Sequence, residues 1–169
     1  MKSGKVIILS AAIALWLCVA VSYAEVYSPA IEAARKIFPS QEEYKTERRV
    51  LNAQPVEIFT FLKGGEVIGW AVALNEMGKI KPITFLVGID AQGRVVDVYV
   101  LEYRDLFGSE IRRKSFLKQF RNKSSRDTLS VGRDIDAVTQ ATISSKAAAG
   151  AVKKALRIID ELRKDSPHA

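Results

Sequence analysis

Hydroxyl-bearing and small residues are concentrated in the stretch DAVTQATISS, residues 136–145, next to the last segment with helical spacing. The first turn of a helix presents backbone N–H groups without partners and a partial positive charge, and Ser and Thr hydroxyls add further donors. A phosphate placed there would gain roughly 0.3–2 kcal/mol from the helix dipole. The pattern therefore predicts either a phosphate site or an ordinary helix cap, for which Ser and Thr are equally typical.

The cysteine and histidine content excludes most other chemistry. The one cysteine, Cys18, lies in an N-terminal apolar run, and the one histidine, His168, is the penultimate residue. A domain without these side chains has no disulfide framework, iron–sulfur cluster, cysteine nucleophile or ordinary zinc site. A hydrolase built on Asp136 with Ser144 or Ser145 would lack a suitable base. We therefore predict no catalytic residue and no metal site, and redox work would need an organic cofactor.

The N-terminus has the pattern of a secretory leader. Two lysines precede an apolar run over residues 6–21, and small residues at Ser22 and Ala24 suit signal peptidase. The 19 residues 6–24 are also just long enough to cross a bilayer as a retained anchor. Residues 1–24 are thus predicted to be a signal peptide or a membrane anchor. The protein is then exported and lies in the periplasm or at the extracytoplasmic face of the cell membrane.

The charge of the chain favours a membrane surface over a nucleic acid as a partner. Residues 1–24 contain two lysines and no acid, so their removal changes the net charge from +7 to +5. A modest basic excess spread over a chain favours solubility and attraction to anionic lipid. Since no RNA-binding motif or recognition helix is present, no nucleic-acid partner is expected.

Alternating apolar residues from Val56 onward predict two β-hairpins. VEIFTFL and EVIGWAVAL flank a turn at Gly64 and Gly65, while ITFLVGID and RVVDVYVLE flank a turn at residues 91–93. Their Val, Ile, Tyr and Phe content is typical of half-buried antiparallel strands.

Helical patterns lie on both sides of the hairpins. Residues 28–38 predict a short helix with Ser28 as N-cap, and the charged residues 41–49 predict a linker or an exposed helix. Residues 109–122 and 145–164 have apolar side chains at helical spacing, with basic side chains outside.

These elements predict an α+β fold, in which an antiparallel sheet of four or more strands has helices packed on one face. The C-terminal helix follows the hydroxyl-rich stretch. The predicted organisation is a leader at residues 1–24, a helical segment and linker at 25–54, and one globular domain at 55–165.

The stretch at 136–145 resembles the flavinylation motif of the FMN-binding domain family. That family includes the C subunit of sodium-translocating NADH:quinone reductases and the G subunit of Rnf complexes. Its pattern is Asp, two variable residues, Ser or Thr, usually Gly, Ala-Thr, one variable residue, and the Ser or Thr that takes the FMN phosphate as a phosphoester. The positions of that pattern are occupied here by Asp136, Thr139, Gln140, Ala141, Thr142 and Ser144.

The resemblance covers roughly residues 55–160 and implies covalent FMN on Ser144, with Ser145 and the other motif residues at the phosphate. It implies that a separate flavin transferase, which uses FAD and a divalent metal, installs the flavin, and that Asp136 and Thr142 act in recognition by this transferase or in positioning the phosphate. Further residues implied near the cofactor are Gly78, Glu102 and Tyr103. Larger relatives have a glutamate-threonine-proline-glycine segment after the fourth strand, of which only the acid is kept here, at Glu102.

The implied function is electron relay between membrane redox proteins, by a module that is not a stand-alone enzyme. A phosphoester suits an exported protein, because a dissociable flavin would be lost where free FMN is scarce. The loops at 75–82 and 103–108 are expected to flank the ring. The candidate stacking partners are Trp70, Tyr99, Tyr103 and Phe107. The alternative is a sensory or assembly domain of the same fold without flavin, which the glutamine at position 140 favours.

Overall fold

The computed structural model describes residues 29–51 and 53–165. Ser28 and the predicted leader lie outside the described residues. The elements in chain order are α1 (Pro29–Ile37), β1 (Glu43–Leu51), β2 (Gln54–Lys63), β3 (Glu66–Met77), β4 (Pro82–Asp90), β5 (Val95–Tyr103), two 3₁₀ segments (Ser109–Arg112 and Lys118–Phe120) that flank α2 (Lys114–Leu117), and α3 (Thr142–Asp165).

The five strands form one antiparallel sheet in the order β1-β2-β3-β4-β5, so each strand pairs with its neighbour in sequence. The four strands predicted from the alternating pattern are β2 to β5, and the predicted α+β class is confirmed. The β2–β3 hairpin turns at Gly64 and Gly65, whose φ angles of 58° and 80° are left-handed. Glycine adopts this backbone without a steric penalty, which explains the Gly-Gly pair.

The prediction of a linker or exposed helix at residues 41–49 is wrong, because most of this segment forms strand β1. It pairs with β2 over its whole length, and Arg48 donates to Glu57 across the pair at 2.9 Å. All but two of its side chains are exposed. Strand β1 lies at the edge of the sheet and has charged residues in place of an apolar alternation. Charged side chains protect an edge strand against pairing with other chains.

The sheet has two apolar faces, and helices cover both of them. Alternate strand residues such as Ile58, Val72 and Val87 pack under α3, whereas those between them pack under α1. The expectation of helices on one face is therefore wrong for α1. Close approach of α1 depends on glycine in β4, because a Cβ atom at Gly88 would lie 2.7 Å from Ile37 Cγ2.

The helix predicted over residues 109–122 is broken into three short pieces. Arg113 has an extended backbone (φ −64°, ψ 132°) and separates the first 3₁₀ segment from α2. The predicted apolar set is nevertheless buried, namely Ile111, Phe116, Leu117 and Phe120. The break has a packing reason, because it lets Ile111 and Phe120 both lie fully buried against the sheet, while Asn122 N donates to Val95 O of β5.

Helix α3 begins at Thr142, three residues before the predicted start, and ends at Asp165. Its buried side chains follow the predicted face and include Ala148, Val152, Ala155, Leu156 and Ile159. The early start places the serines of the hydroxyl-rich stretch inside the first turn. Among residues 29–51 and 53–165, no helix combines the length and apolar character needed to cross a membrane.

Candidate functional site

The chain enters α3 through a tight turn over residues 138–141. Ala141 N donates to Val138 O at 2.9 Å, and Gln140, the third residue of the turn, has a φ angle of 64°. This left-handed backbone is unfavourable for most L-residues, and glycine adopts it freely. Gln140 is exposed, so its side chain extends into solvent without a packing conflict. The glutamine therefore keeps the backbone that glycine would adopt, with some conformational strain.

We expect Gln140→Gly to stabilise the domain by about 0.5–1 kcal/mol, because relief of the left-handed strain outweighs the greater freedom of glycine in the unfolded chain. Urea unfolding at neutral pH measures the difference. Gln140→Ala is the matched control, since alanine removes the same side chain but keeps the Cβ atom that causes the strain. Equal stabilisation by both variants would contradict the conformational explanation.

Two adjacent serines in the first turn of α3 have different surroundings. The Ser145 hydroxyl is fully buried, donates to Ala141 O at 2.9 Å and accepts from Val138 N at 3.2 Å. It therefore fastens the turn to the helix. The Ser144 hydroxyl lies 3.0 Å from the Tyr103 hydroxyl, in β5, and Ser144 is 2% exposed. Only Ser144 thus presents its hydroxyl away from the helix backbone.

Residues 104–108, which we call the β5 loop, lie against Ser144. The Tyr103 hydroxyl donates to Phe107 O and so ties the end of this loop to the end of β5. Gly108 has a φ angle of 93°, and a Cβ atom there would lie 2.6 Å from Ser144 Oγ. Both the backbone angle and the lack of space require glycine at this position.

Asp105 joins the β5 loop to the β3–β4 loop, residues 78–81. Its Oδ2 atom accepts from Lys79 N at 2.5 Å and from Ile80 N at 3.1 Å. Gly78 leaves room for this carboxylate, since a Cβ atom there would overlap it. Burial disfavours the charged carboxylate, but the N–H donors of the two loops outweigh burial and hold the pKa of Asp105 below its usual range.

We expect the domain to lose stability in acid partly through Asp105. A carboxylate with a depressed folded-state pKa stabilises the fold above its unfolded pKa of about 3.9, and this stabilisation disappears as pH falls through the folded value. Asp105→Asn should therefore lower the urea midpoint at pH 7, and the difference from wild type should shrink at roughly pH 2–3. A difference that stays constant between the two pH values would contradict the assignment.

Five of the large exposed apolar side chains lie on segments that the contacts of Asp105 and Ser144 link to one another, while Val50 and Leu51 lie on β1. The β3–β4 hairpin, the β5 loop and the first turn of α3 each contribute to this set. Its members, which we call the apolar rim, are Met77, Ile80, Leu106, Phe107 and Ile143. Lone exposed apolar residues are ordinary, but a group at one site marks a surface for a ligand or a partner.

The motif residues around the turn are mostly exposed. Asp136, Thr139 and Thr142 are exposed, while Ala141 is buried in the core. The Gln119 side chain anchors the backbone of Asp136, because its Oε1 accepts from Asp136 N at 2.7 Å and its Nε2 donates to Asp136 O at 3.3 Å. The carboxylate of Asp136 takes no part in this anchor.

Of the other residues expected near a cofactor, the structure places Gly78 and Tyr103 at the site and Glu102 elsewhere. Glu102 pairs in register with Thr84, on the sheet face opposite to Tyr103, and forms an ion pair with Arg104. Successive strand residues point to opposite faces, so Tyr103 and Glu102 cannot both reach Ser144.

Two of the four aromatic stacking candidates lie away from Ser144. Trp70 lines a surface cleft of about 1180 Å³ together with Arg163, at the opposite end of α3. Tyr99 packs on the α1 face of the sheet. Tyr103 and Phe107 remain at the site.

Sequence reasoning did not single out Asp105, because a lone aspartate in a loop gives no signal of the loop that it will bind.

Comparison with known proteins gives a match over the segment that contains the candidate site. Residues 78–157 match the family model described as the FMN-binding domain. The G subunit of the proton-translocating ferredoxin:NAD(+) oxidoreductase complex of Clostridium ljungdahlii is 32% identical over 102 residues, which is 56% of this chain and 55% of the relative. The chain thus matches about half the length of that relative. The family match starts at Gly78 and includes both loops, the turn at Gln140 and the two serines.

Proposed function

We propose that this protein is a flavoprotein that carries FMN as a phosphoester on Ser144, because residues 78–157 match the model of the FMN-binding domain family. The observation that supports this most directly is the difference between the two serines. Ser145 uses its hydroxyl within the helix, whereas the Ser144 hydroxyl faces the β5 loop. Ser144 also occupies the acceptor position of the motif.

The residues around Ser144 fit both the phosphate and the ring of FMN. Thr142, Ile143 and Ser144 have backbone N–H groups without partners inside the helix, and the helix dipole adds positive potential for a phosphate. The apolar rim and Tyr103 offer apolar and aromatic surface for the ring. FMN, once bound, supplies one-electron and two-electron transfer.

Gln140 does not oppose this proposal. Its left-handed backbone is the one that glycine, which is usual at this position of the family pattern, adopts freely, and its side chain is exposed and does not itself cover the first turn of α3. The alternative of a sensory or assembly domain without flavin rested on this residue. The conformation of Gln140 therefore favours the flavinylated form.

We further propose that the protein relays electrons between membrane redox proteins at the extracytoplasmic face of the cell membrane. The relative from C. ljungdahlii is a component of a ferredoxin:NAD(+) oxidoreductase complex. The proposed leader at residues 1–24 and the net charge of +7 agree with a place at an anionic membrane surface. Flavin attachment would require the separate flavin transferase.

Intact mass and electron exchange test the two parts of the proposal. Protein isolated from cells that contain the flavin transferase should be heavier by one FMN less one water, and should sediment with membranes. In stopped-flow experiments its flavin should be reduced by a membrane redox partner. An unmodified mass would favour the domain without flavin, and steady turnover of a soluble substrate by the purified protein would contradict the carrier role.

Asp136 and Thr142 are proposed to serve recognition by the transferase, since both side chains are exposed on the segment that leads into and begins α3. Asp136→Ala should slow flavin attachment without changing the unfolding midpoint, because the bonds from Gln119 go to the Asp136 backbone, which alanine retains. Labelling of this variant at the wild-type rate by purified transferase would exclude the recognition role.

A further inference from the structure

We infer that Tyr103 positions the hydroxyl of the unmodified Ser144 and, through the β5 loop, controls its access to the flavin donor. The inference rests on the proposed attachment at Ser144. The inference concerns the unmodified protein, before FMN is attached. Tyr103 acts at this stage as a positioning residue.

The first argument comes from the protons of the two hydroxyls. Tyr103 has one hydroxyl proton, and that proton is donated to Phe107 O. In the 3.0 Å contact between Tyr103 and Ser144, the serine must therefore be the donor. The Ser144 hydroxyl is thus held in one orientation, with its proton directed at the Tyr103 oxygen. A neutral phenol that already donates its own proton orients the serine but does not act as its base.

The second argument comes from the burial of the acceptor. Ser144 is 2% exposed, and Gly108 of the β5 loop lies against its hydroxyl. Attachment forms a bond from Ser144 Oγ to phosphorus and breaks the P–O–P bridge of FAD. AMP leaves with the bridging oxygen, and the serine proton passes to a base of the transferase or to water. No electrons are exchanged. An acceptor this buried cannot reach phosphorus unless the β5 loop first moves away.

The third argument is that polar contacts hold this loop. Leu106 and Phe107, at its centre, are largely exposed and contribute little burial. Two contacts, which we call latches, hold its outer part: the bond from Tyr103 to Phe107 O, and the bonds from Lys79 N and Ile80 N to Asp105. Arg104 at its start is fixed separately by bonds to Pro82 O and Thr84 Oγ1, and Lys79 Nζ lies 5.9 Å from the centre of the Phe107 ring. Segments with few buried apolar contacts open at low free energy, so the loss of one latch should raise the open fraction substantially.

The first test is the rate of flavin attachment. Tyr103→Phe keeps the aromatic ring but removes the bonds to Phe107 and Ser144. At limiting transferase we expect attachment to be about 3–10-fold faster. The variant loses hydrogen bonds that stabilise the closed loop, and their net free energy corresponds to a change of this size in the open fraction. Tyr99→Phe is the matched control, because Tyr99 packs on the other face of the sheet, and it should label at the wild-type rate. Attachment in Tyr103→Phe that is slower than in wild type, or equal to it, would overturn the inference that Tyr103 controls access to Ser144.

The second test does not depend on flavin. In the full-length chain with Cys18→Ala, Ser144→Cys places a single thiol at the acceptor position. Iodoacetamide should alkylate this thiol several-fold faster when Tyr103→Phe is added, and Asp105→Asn, which weakens the other latch, should act in the same direction. Equal alkylation rates with and without Tyr103→Phe would overturn the inference, even if Ser144 is flavinylated. Faster alkylation without any flavin attachment would uphold the control of access and refute the attachment at Ser144.

Discussion

Replacement of Ser144 by Ala is expected to abolish covalent flavin. The phosphoester requires a hydroxyl at the acceptor, and the Ser144 hydroxyl is the one that faces the β5 loop. In-gel flavin fluorescence and intact mass after incubation with FAD and the purified transferase should both report no FMN. The fold should persist, because the variant loses one contact to Tyr103 and leaves the Ser145 bonds in place.

Ser145→Ala is the matched control for this experiment. It removes the hydroxyl that fastens the turn to α3 and leaves Val138 N without that acceptor, so we expect a destabilisation of about 1–3 kcal/mol. Most of the flavin label should be retained on folded protein. If Ser145→Ala abolished the label while Ser144→Ala kept it, the acceptor would be one residue later than proposed.

Phe85→Ala is expected to have the largest effect on stability. Phe85 is 0% exposed and lies in β4 within the core beneath α3. Deleting a buried phenyl ring leaves a cavity and typically destabilises a protein by about 3–5 kcal/mol. Since domains of this size are stable by about 5–15 kcal/mol, the unfolding midpoint in urea should fall by a large fraction.

The same substitution at Phe107 provides the comparison. Phe107 is 66% exposed on the β5 loop, so its removal should change the unfolding midpoint little. If the apolar rim contacts the ring or a redox partner, Phe107→Ala should instead alter the rate of flavin reduction by that partner. Equal destabilisation by the two variants would mean that the β5 loop is packed far more tightly than its exposure indicates.

The sequence by itself determined the parts of this protein whose signal is local. Alternation of apolar residues identified strands β2 to β5, because side chains of half-buried strands alternate between two environments. Helical spacing identified the buried face of α3. The motif at residues 136–145 predicted the resemblance to the FMN-binding domain family, whose model matches residues 78–157. None of these features requires knowledge of distant parts of the chain.

The tertiary structure decided that β1 forms the edge strand and that the helix predicted over residues 109–122 is broken. Strand β1 has almost no buried side chains, so its pairing with β2 left no alternating pattern to recognise. Residues 109–122 have a helical pattern, but the need to bury both Ile111 and Phe120 against the sheet outweighed helix propensity. Apolar spacing alone could not reveal that α1 covers the second face.

The contacts that cover the Ser144 hydroxyl also came from the tertiary structure. Tyr103 and Ser144 are 41 residues apart, and their contact exists because the end of β5 meets the first turn of α3. Asp105 holds the β3–β4 loop through backbone N–H groups, which every residue except proline has and no sequence pattern marks. The left-handed backbone at Gln140 is likewise imposed by the turn, against the preference of its own residue type. The residue types thus predicted the acceptor, whereas the long-range packing of β5 against α3 decided what covers it.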